Sequence, residues 1–175
     1  ARAQRRLGAG EDVVLTGPPG SGKSTTCKRI AVAWHRNDRG TVLYREPDGE
    51  RSLQSVPALR RAVDAAAGHT LVVVEDVVDP GARRALDLRA EFAGRDDVSF
   101  LFDARTAAWE GADTPTDGPT RLSMPTLSVD DCEALLARAA EGRESPLPLS
   151  AAELHDEVSG EGTAGGFVVA AHRVA

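Results

Sequence analysis

Three stretches of the chain carry residue types and spacings that can do chemistry. The first is Gly17, Pro18, Pro19, Gly20, Ser21, Gly22, Lys23 and Ser24, which fills every fixed position of the pattern G-x-x-x-x-G-K-[ST]. Gly17 lets the backbone leave a strand in a sharp turn. Gly20 and Gly22 remove side chains, so that N–H groups can converge on phosphate oxygens. A helix opening near Gly22 adds the positive end of its dipole. Lys23 reaches terminal phosphates as a compact charge, Ser24 offers a hydroxyl to Mg2+, and Thr25 completes the contacting set at the helix start. Lys23 is one of two lysines in a chain with 21 basic residues. An arginine's broad planar fork does not suit a loop wrapped round a phosphate, which accounts for lysine at this position.

The second stretch is "LVVVED", an apolar run closed by Glu75 and Asp76. Such a run places acids at the C-terminal edge of a buried strand, where ligands bind in parallel sheets. Consecutive strand side chains point to opposite faces, so the two acids take different jobs. Glu75 is assigned to the metal shell and Asp76 to activation of the attacking water. The third stretch, "FLFDAR", ends a further apolar run with Asp103 and Arg105. If this strand lies between the other two, Arg105 lies beside the terminal phosphate, where it senses the bound nucleotide and stabilises charge developing in transfer. The plainer alternative is a surface arginine paired with Asp103 or Glu110.

Positioning these groups requires alternating strands and helices. Strands are expected at 11–17, 40–46, 69–76, 98–105 and 121–127, and helices over 21–37, 52–68 and 79–97. Asp79 and Pro80 suit the cap and first turn of the third helix. Ser128 with Asp131, and Ser150 with Glu153, have the spacing of N-terminal capping boxes on two later helices. A last helix is expected from Gly165, and 110–120 reads as a turn-rich surface loop. The order β-α-β-α-β-α-β-loop-β predicts an α/β fold: a doubly wound, parallel five-stranded sheet in three layers, followed by a small C-terminal helical lid. The boundary is placed between a nucleotide-binding core, 1–127, and a lid segment, 128–175.

Composition sets outer limits. The chain has 175 residues, 41 % of them hydrophobic and 4 % aromatic, so the core is built from Val, Leu and Ala. A net charge of −6 argues against general affinity for nucleic acid. No stretch reaches the roughly 18 unbroken apolar residues of a membrane span, and Cys27 and Cys132 make no disulfide framework. A cytoplasmic location is the expectation, as is a domain cut from a longer chain. Trp34 and Trp109 read as packing residues, and His35, His69, His155 and His172 form no cluster in sequence.

With the glycine-rich loop, "LVVVED" and "FLFDAR" in this order, the chain resembles the additional-strand P-loop NTPases. Within these it is most similar to the STAND signal-transduction ATPases, relatives of AAA+ proteins. The order Glu75 then Asp76 reverses the usual Asp then Glu, and a shorter acid in the base position slows hydrolysis. Arg105 matches an arginine that members tend to carry at the end of the fourth strand. The lid's usual glycine-proline pair keeps its glycine, at Gly165 or Gly166, but has Phe167 in place of proline, and ahead of the first strand only Arg5 and Arg6 offer an adenine-side contact. The resemblance implies Mg-ATP as ligand and slow hydrolysis. It also implies a switch read by downstream domains, with nucleotide-dependent oligomers as a further possibility. A non-hydrolysing nucleotide-binding scaffold, an AAA+-like DNA-associated ATPase and a small-molecule kinase stand as rivals. The absence of an Asn/Thr-Lys-x-Asp guanine reader favours ATP over GTP.

Overall fold

A computed structural model describes residues 2–19, 21–45, 56–80, 82–112, 117–141 and 149–159. The expected helix from Gly165 and its Gly166–Phe167 departure lie outside these residues. The chain divides into two compact units, Ala1–Thr16 with Lys23–Ser123, and Gly17–Gly22 with Met124–Ala175.

The first unit is organised by a five-stranded sheet in the order β2-β3-β4-β1-β5. Its strands are β1 (Val13–Gly17), β2 (Val42–Arg45), β3 (Thr70–Val74), β4 (Val98–Arg105) and β5 (Thr120–Ser123). Neighbours run parallel: Val13 pairs with Thr120, Val42 with Leu71, and Thr70 with Val98. Position in the sheet explains sequence pattern. The three inner strands, β1, β3 and β4, are buried through nearly all of their length and are dominated by apolar residues, whereas β5 at one edge alternates half-buried and exposed positions. β4 therefore lies between β3 and β1, the arrangement that brings its C-terminal end beside the other two.

Helices cover the sheet. They are α1 (Arg2–Leu7), α2 (Lys23–Arg36), α3 (Val56–Asp64), α4 (Arg84–Glu91) and the short α5 (Thr106–Glu110). On one face Val72, Val74, Phe100 and Phe102 pack with Leu59, Val63, Leu86, Leu88 and Phe92 in a single cluster. The rings of Phe100 and Phe102 stack at 5.7 Å. Side chains two residues apart share a face of a strand, so Leu71, Val73 and Leu101 point the other way. Trp34 of α2 is 2 % exposed and donates through Nε1 to the His69 carbonyl at 3.0 Å, which makes it a packing residue.

Two local expectations need correction. The α4 helix begins at Arg84 with Arg83 as its cap residue and no side-chain cap. Asp79 lies upstream, in turns where its carbonyl accepts from the Ala82 and Arg83 amides at 2.8 and 2.9 Å. The Asp-Pro pair thus starts a bend ahead of the helix and not the helix itself. Thr106–Glu110, the stretch leading into the surface loop, forms α5, which buries Trp109.

In the second unit, α6 (Val129–Ala140) and α7 (Ala151–Ser159) meet around Cys132 and Leu154, with Leu127, Leu136 and Leu149 against them. Both start as their spacing predicts. Ser128 Oγ accepts from the Asp131 amide at 3.1 Å while the Asp131 carboxylate accepts from the Ser128 amide at 2.9 Å. Ser150 and Glu153 make the same exchange at 3.3 and 2.8 Å. Among the described residues no helix is long and apolar enough to cross a membrane.

Candidate functional site

The turn after β1 has the backbone that its glycines allow. Gly22 adopts φ +81°, a conformation L side chains rarely take. A Cβ on Gly17 would stand 2.6 Å from Ser21 Oγ and 3.0 Å from Met124 Cβ, so only glycine fits. The Ser21 amide donates to the Pro18 carbonyl at 3.3 Å, and Ser21 Oγ is buried without a hydrogen-bond partner among the described residues. Pro18, Pro19 and Thr25 are exposed, and Gly20 lies outside the described residues.

Lys23 and Ser24 follow directly in sequence and open α2, the helix against the inner strands. Lys23 is 9 % exposed. Burial is the strongest influence on its ammonium and lowers its pKa, while the Asp103 and Asp76 carboxylates push it back up and Arg105 lowers it. These three residues are therefore the charges gathered about Lys23.

The acids sit at the C-terminal edges of β3 and β4. The register pairs Val74 with Phe102, which makes Glu75 and Asp103 the next positions along the two strands, both on the α2 face. Glu75 is 4 % exposed, and its Oε1 accepts a short hydrogen bond from the Tyr44 hydroxyl. Asp103 is 3 % exposed. Its Oδ2 accepts from Ser24 Oγ at 3.0 Å and its Oδ1 accepts from the Asp76 amide at 2.8 Å. Burial raises the Asp103 pKa, opposed by those two hydrogen bonds and by Lys23. Asp76 has φ +47°, so strand alternation ends before it. What separates Asp76 from Glu75 is this left-handed turn.

Arg105, the last residue of β4, is exposed. Glu110 pairs instead with Arg121 at 2.8 Å, and Asp103 is engaged by Ser24 and Asp76, so neither is the ion-pair partner of Arg105 that the plainer alternative supplied. Cys27, one turn into α2, is fully buried, and burial pushes its thiol pKa well up, consistent with an inert packing role.

Asp103 and Tyr44 are the residues whose part in this cluster sequence reasoning missed. Asp103 carried a signal, being the one charged residue within the otherwise buried run of β4. Tyr44 carried none.

No cluster of three or more His, Cys, Asp or Glu side chains able to hold a metal stands among the described residues. The hard oxygen donors present, Ser24 Oγ and the neighbouring carboxylates, fit Mg2+, which keeps several waters and takes phosphate oxygens as ligands instead of requiring an all-protein cage.

The parallel sheet with β4 inserted between β3 and β1, and a glycine-rich loop entering α2, define a P-loop NTPase of the additional-strand branch. The chain belongs to the family described as Novel STAND NTPase 5, whose model matches residues 2–116. No curated protein matches it. Among solved structures it is similar to a chain of the E. coli HORMA:CdnC:Trip13 complex, at 16 % identity and TM-score 0.65 over 99 % of this chain and 69 % of that one. It is also similar to C. elegans PCH-2, at 15 % identity and TM-score 0.55 over 79 % of this chain. A third likeness is to a Thermotoga maritima RuvB mutant, at 13 % identity and TM-score 0.58 over 97 % of this chain. The chain spans 44 % of the PCH-2 chain and 57 % of the RuvB chain. These neighbours share its fold, and the chain is a STAND NTPase module.

Proposed function

We propose that this module binds Mg-ATP at the loop Gly17–Ser24, hydrolyses it slowly, and acts as a nucleotide-dependent switch for domains of a longer parent chain. One observation carries the reading. Ser24, next to Lys23 at the start of α2, donates to the buried Asp103 carboxylate at 3.0 Å, and the same carboxylate takes the Asp76 amide at 2.8 Å, which joins the helix start to the C-terminal edges of β3 and β4. The unpaired buried Ser21 hydroxyl supports it from the loop itself, since a buried polar atom without a partner marks a place where a ligand can supply one.

In this proposal the loop amides and Lys23 hold the terminal phosphates, and Pro18, Pro19, Gly20 and Thr25 shape the wrapping turn. Ser24 and Glu75 would hold Mg2+, which supplies neutralisation of phosphate charge when bound. Asp76 orients and deprotonates the attacking water, and Arg105 reads the terminal phosphate. A ligand held more tightly in one conformation shifts the balance by that difference in affinity. The division into a core, 1–127, and a lid, 128–175, belongs to the same proposal, as do a cytoplasmic setting and oligomers that form with nucleotide.

The deciding experiment is ATP binding and turnover with Mg2+ for the wild type and Lys23→Ala. Loss of binding in the variant supports the site, and unchanged affinity places it elsewhere. A second reading is a nucleotide-binding scaffold that does not hydrolyse. The Tyr44 bond to Glu75 favours it, because it draws one of the two acids toward the sheet edge. Tight ATP binding without turnover would select it.

A further inference from the structure

Ser24 can present its oxygen lone pairs to a cation only if its hydroxyl hydrogen is directed elsewhere. In this chain the acceptor is not a carboxylate of β3 but Asp103 of β4, whose Oδ2 lies 3.0 Å from Ser24 Oγ. The other oxygen of the same carboxylate takes the Asp76 amide at 2.8 Å. Asp76 stands at φ +47°, a left-handed conformation that Asp adopts more readily than most residues and that presents its amide to Asp103. Asp103 is itself fixed: it is 3 % exposed and flanked by fully buried Phe102 and Ala104. Meanwhile Glu75 is held by Tyr44.

We infer that Asp103 is a positioning residue that couples cation binding to orientation of the water-activating acid. Through one oxygen it turns the Ser24 hydroxyl so that its lone pairs face Mg2+. Through the other it pins the amide of Asp76 and so sets where the Asp76 carboxylate stands. This inference rests on the reading of Lys23 and Ser24 as the nucleotide and Mg2+ site.

The test is ATP affinity of the full chain measured with Mg2+ and with EDTA, the ratio of the two being the readout. Asp103→Asn keeps an oxygen for the Asp76 amide but loses the second acceptor. It should reduce the Mg2+-dependent gain in affinity about ten-fold or more, the scale on which a hydrogen-bonded neighbour of a metal ligand acts. Ser24→Ala should reduce the ratio comparably, Ser24→Thr should retain it, and Ser24→Ala combined with Asp103→Asn should be no worse than either alone, because both remove one interaction. A thermal melt establishes folding of each variant. If Asp103→Asn does not fold, Asp103→Ser, which keeps a polar group but withdraws the carboxylate, takes its place in the same measurement. An unchanged ratio in folded Asp103→Asn or Ser24→Ala overturns the inference, as does full additivity of the two. A wild-type chain that binds no ATP under either condition instead overturns the reading beneath it.

Discussion

The Tyr44 hydroxyl on β2 donates to the Glu75 carboxylate just beyond the end of β3, joining residues 31 apart in sequence. Burial, and then this bond, raise the Tyr44 pKa strongly, so the phenol stays protonated and remains a donor throughout the physiological range. Glu75 is 4 % exposed, and a buried carboxylate that loses a donor is left partly unsatisfied. Tyr44→Phe should therefore lower unfolding free energy by about 1–3 kcal/mol, measured by urea denaturation. Equal midpoints and slopes for the two proteins would show that water replaces the phenol without loss.

Asp76 and Glu75 should separate in kinetics. The left-handed backbone at Asp76, φ +47°, is one that Asn tolerates as Asp does, so Asp76→Asn removes charge without adding backbone strain. If Asp76 activates water, turnover should fall about 100-fold or more, with ATP affinity little changed. Glu75→Gln should instead weaken affinity in the presence of Mg2+. Parallel losses in both variants, in binding and in turnover alike, would remove the division of labour.

The inner strands and the glycine-rich turn were legible because each declares itself locally. Val13–Gly17, Thr70–Val74 and Val98–Phe102 are dominated by apolar residues, the pattern of strands covered on both faces, and the two capping boxes of α6 and α7 lie within three residues of sequence. The contacts that connect the site are of another kind. Ser24 and Asp103 are 79 positions apart, and their pairing depends on β4 entering between β3 and β1, which no local pattern encodes. Strand alternation does not extend to Glu75 and Asp76, since β3 ends at Val74 and the backbone turns over at Asp76. The α5 helix escaped notice because five residues beside a turn-rich loop are too few to show a period.

Arg105 offers a direct test of nucleotide sensing. It is exposed and its charge acts on Lys23, so under the proposed function it would stand near the terminal phosphate without being part of the turn proposed to hold it. Arg105→Ala should narrow the preference for ATP over ADP about ten-fold, the scale of one hydrogen bond to a charged group, while affinity for ADP stays close to wild type. Competition binding with both nucleotides measures the ratio, and an identical ratio in the variant removes the sensor role.

His69, just before the start of β3, makes stability depend on pH. Its Nε2 lies 2.9 Å from Ser99 Oγ, and its ring meets Trp34 edge-on at 5.2 Å. Burial is the largest influence and disfavours the charged ring, Arg39 acts in the same direction, and Asp97 and Asp96 oppose them with a net lowering from 6.5. A lowered folded value means that the unfolded chain takes up the proton first as pH falls. Stability from the neutral ring is thus complete above about 6.5 and declines as pH drops from there toward the folded value. Thermal melts at pH steps from neutral downward should show a steeper loss for wild type than for His69→Gln, which keeps a hydrogen-bonding side chain but does not titrate. Superimposable pH profiles would mean that the ring remains hydrated enough to charge at no expense to the fold.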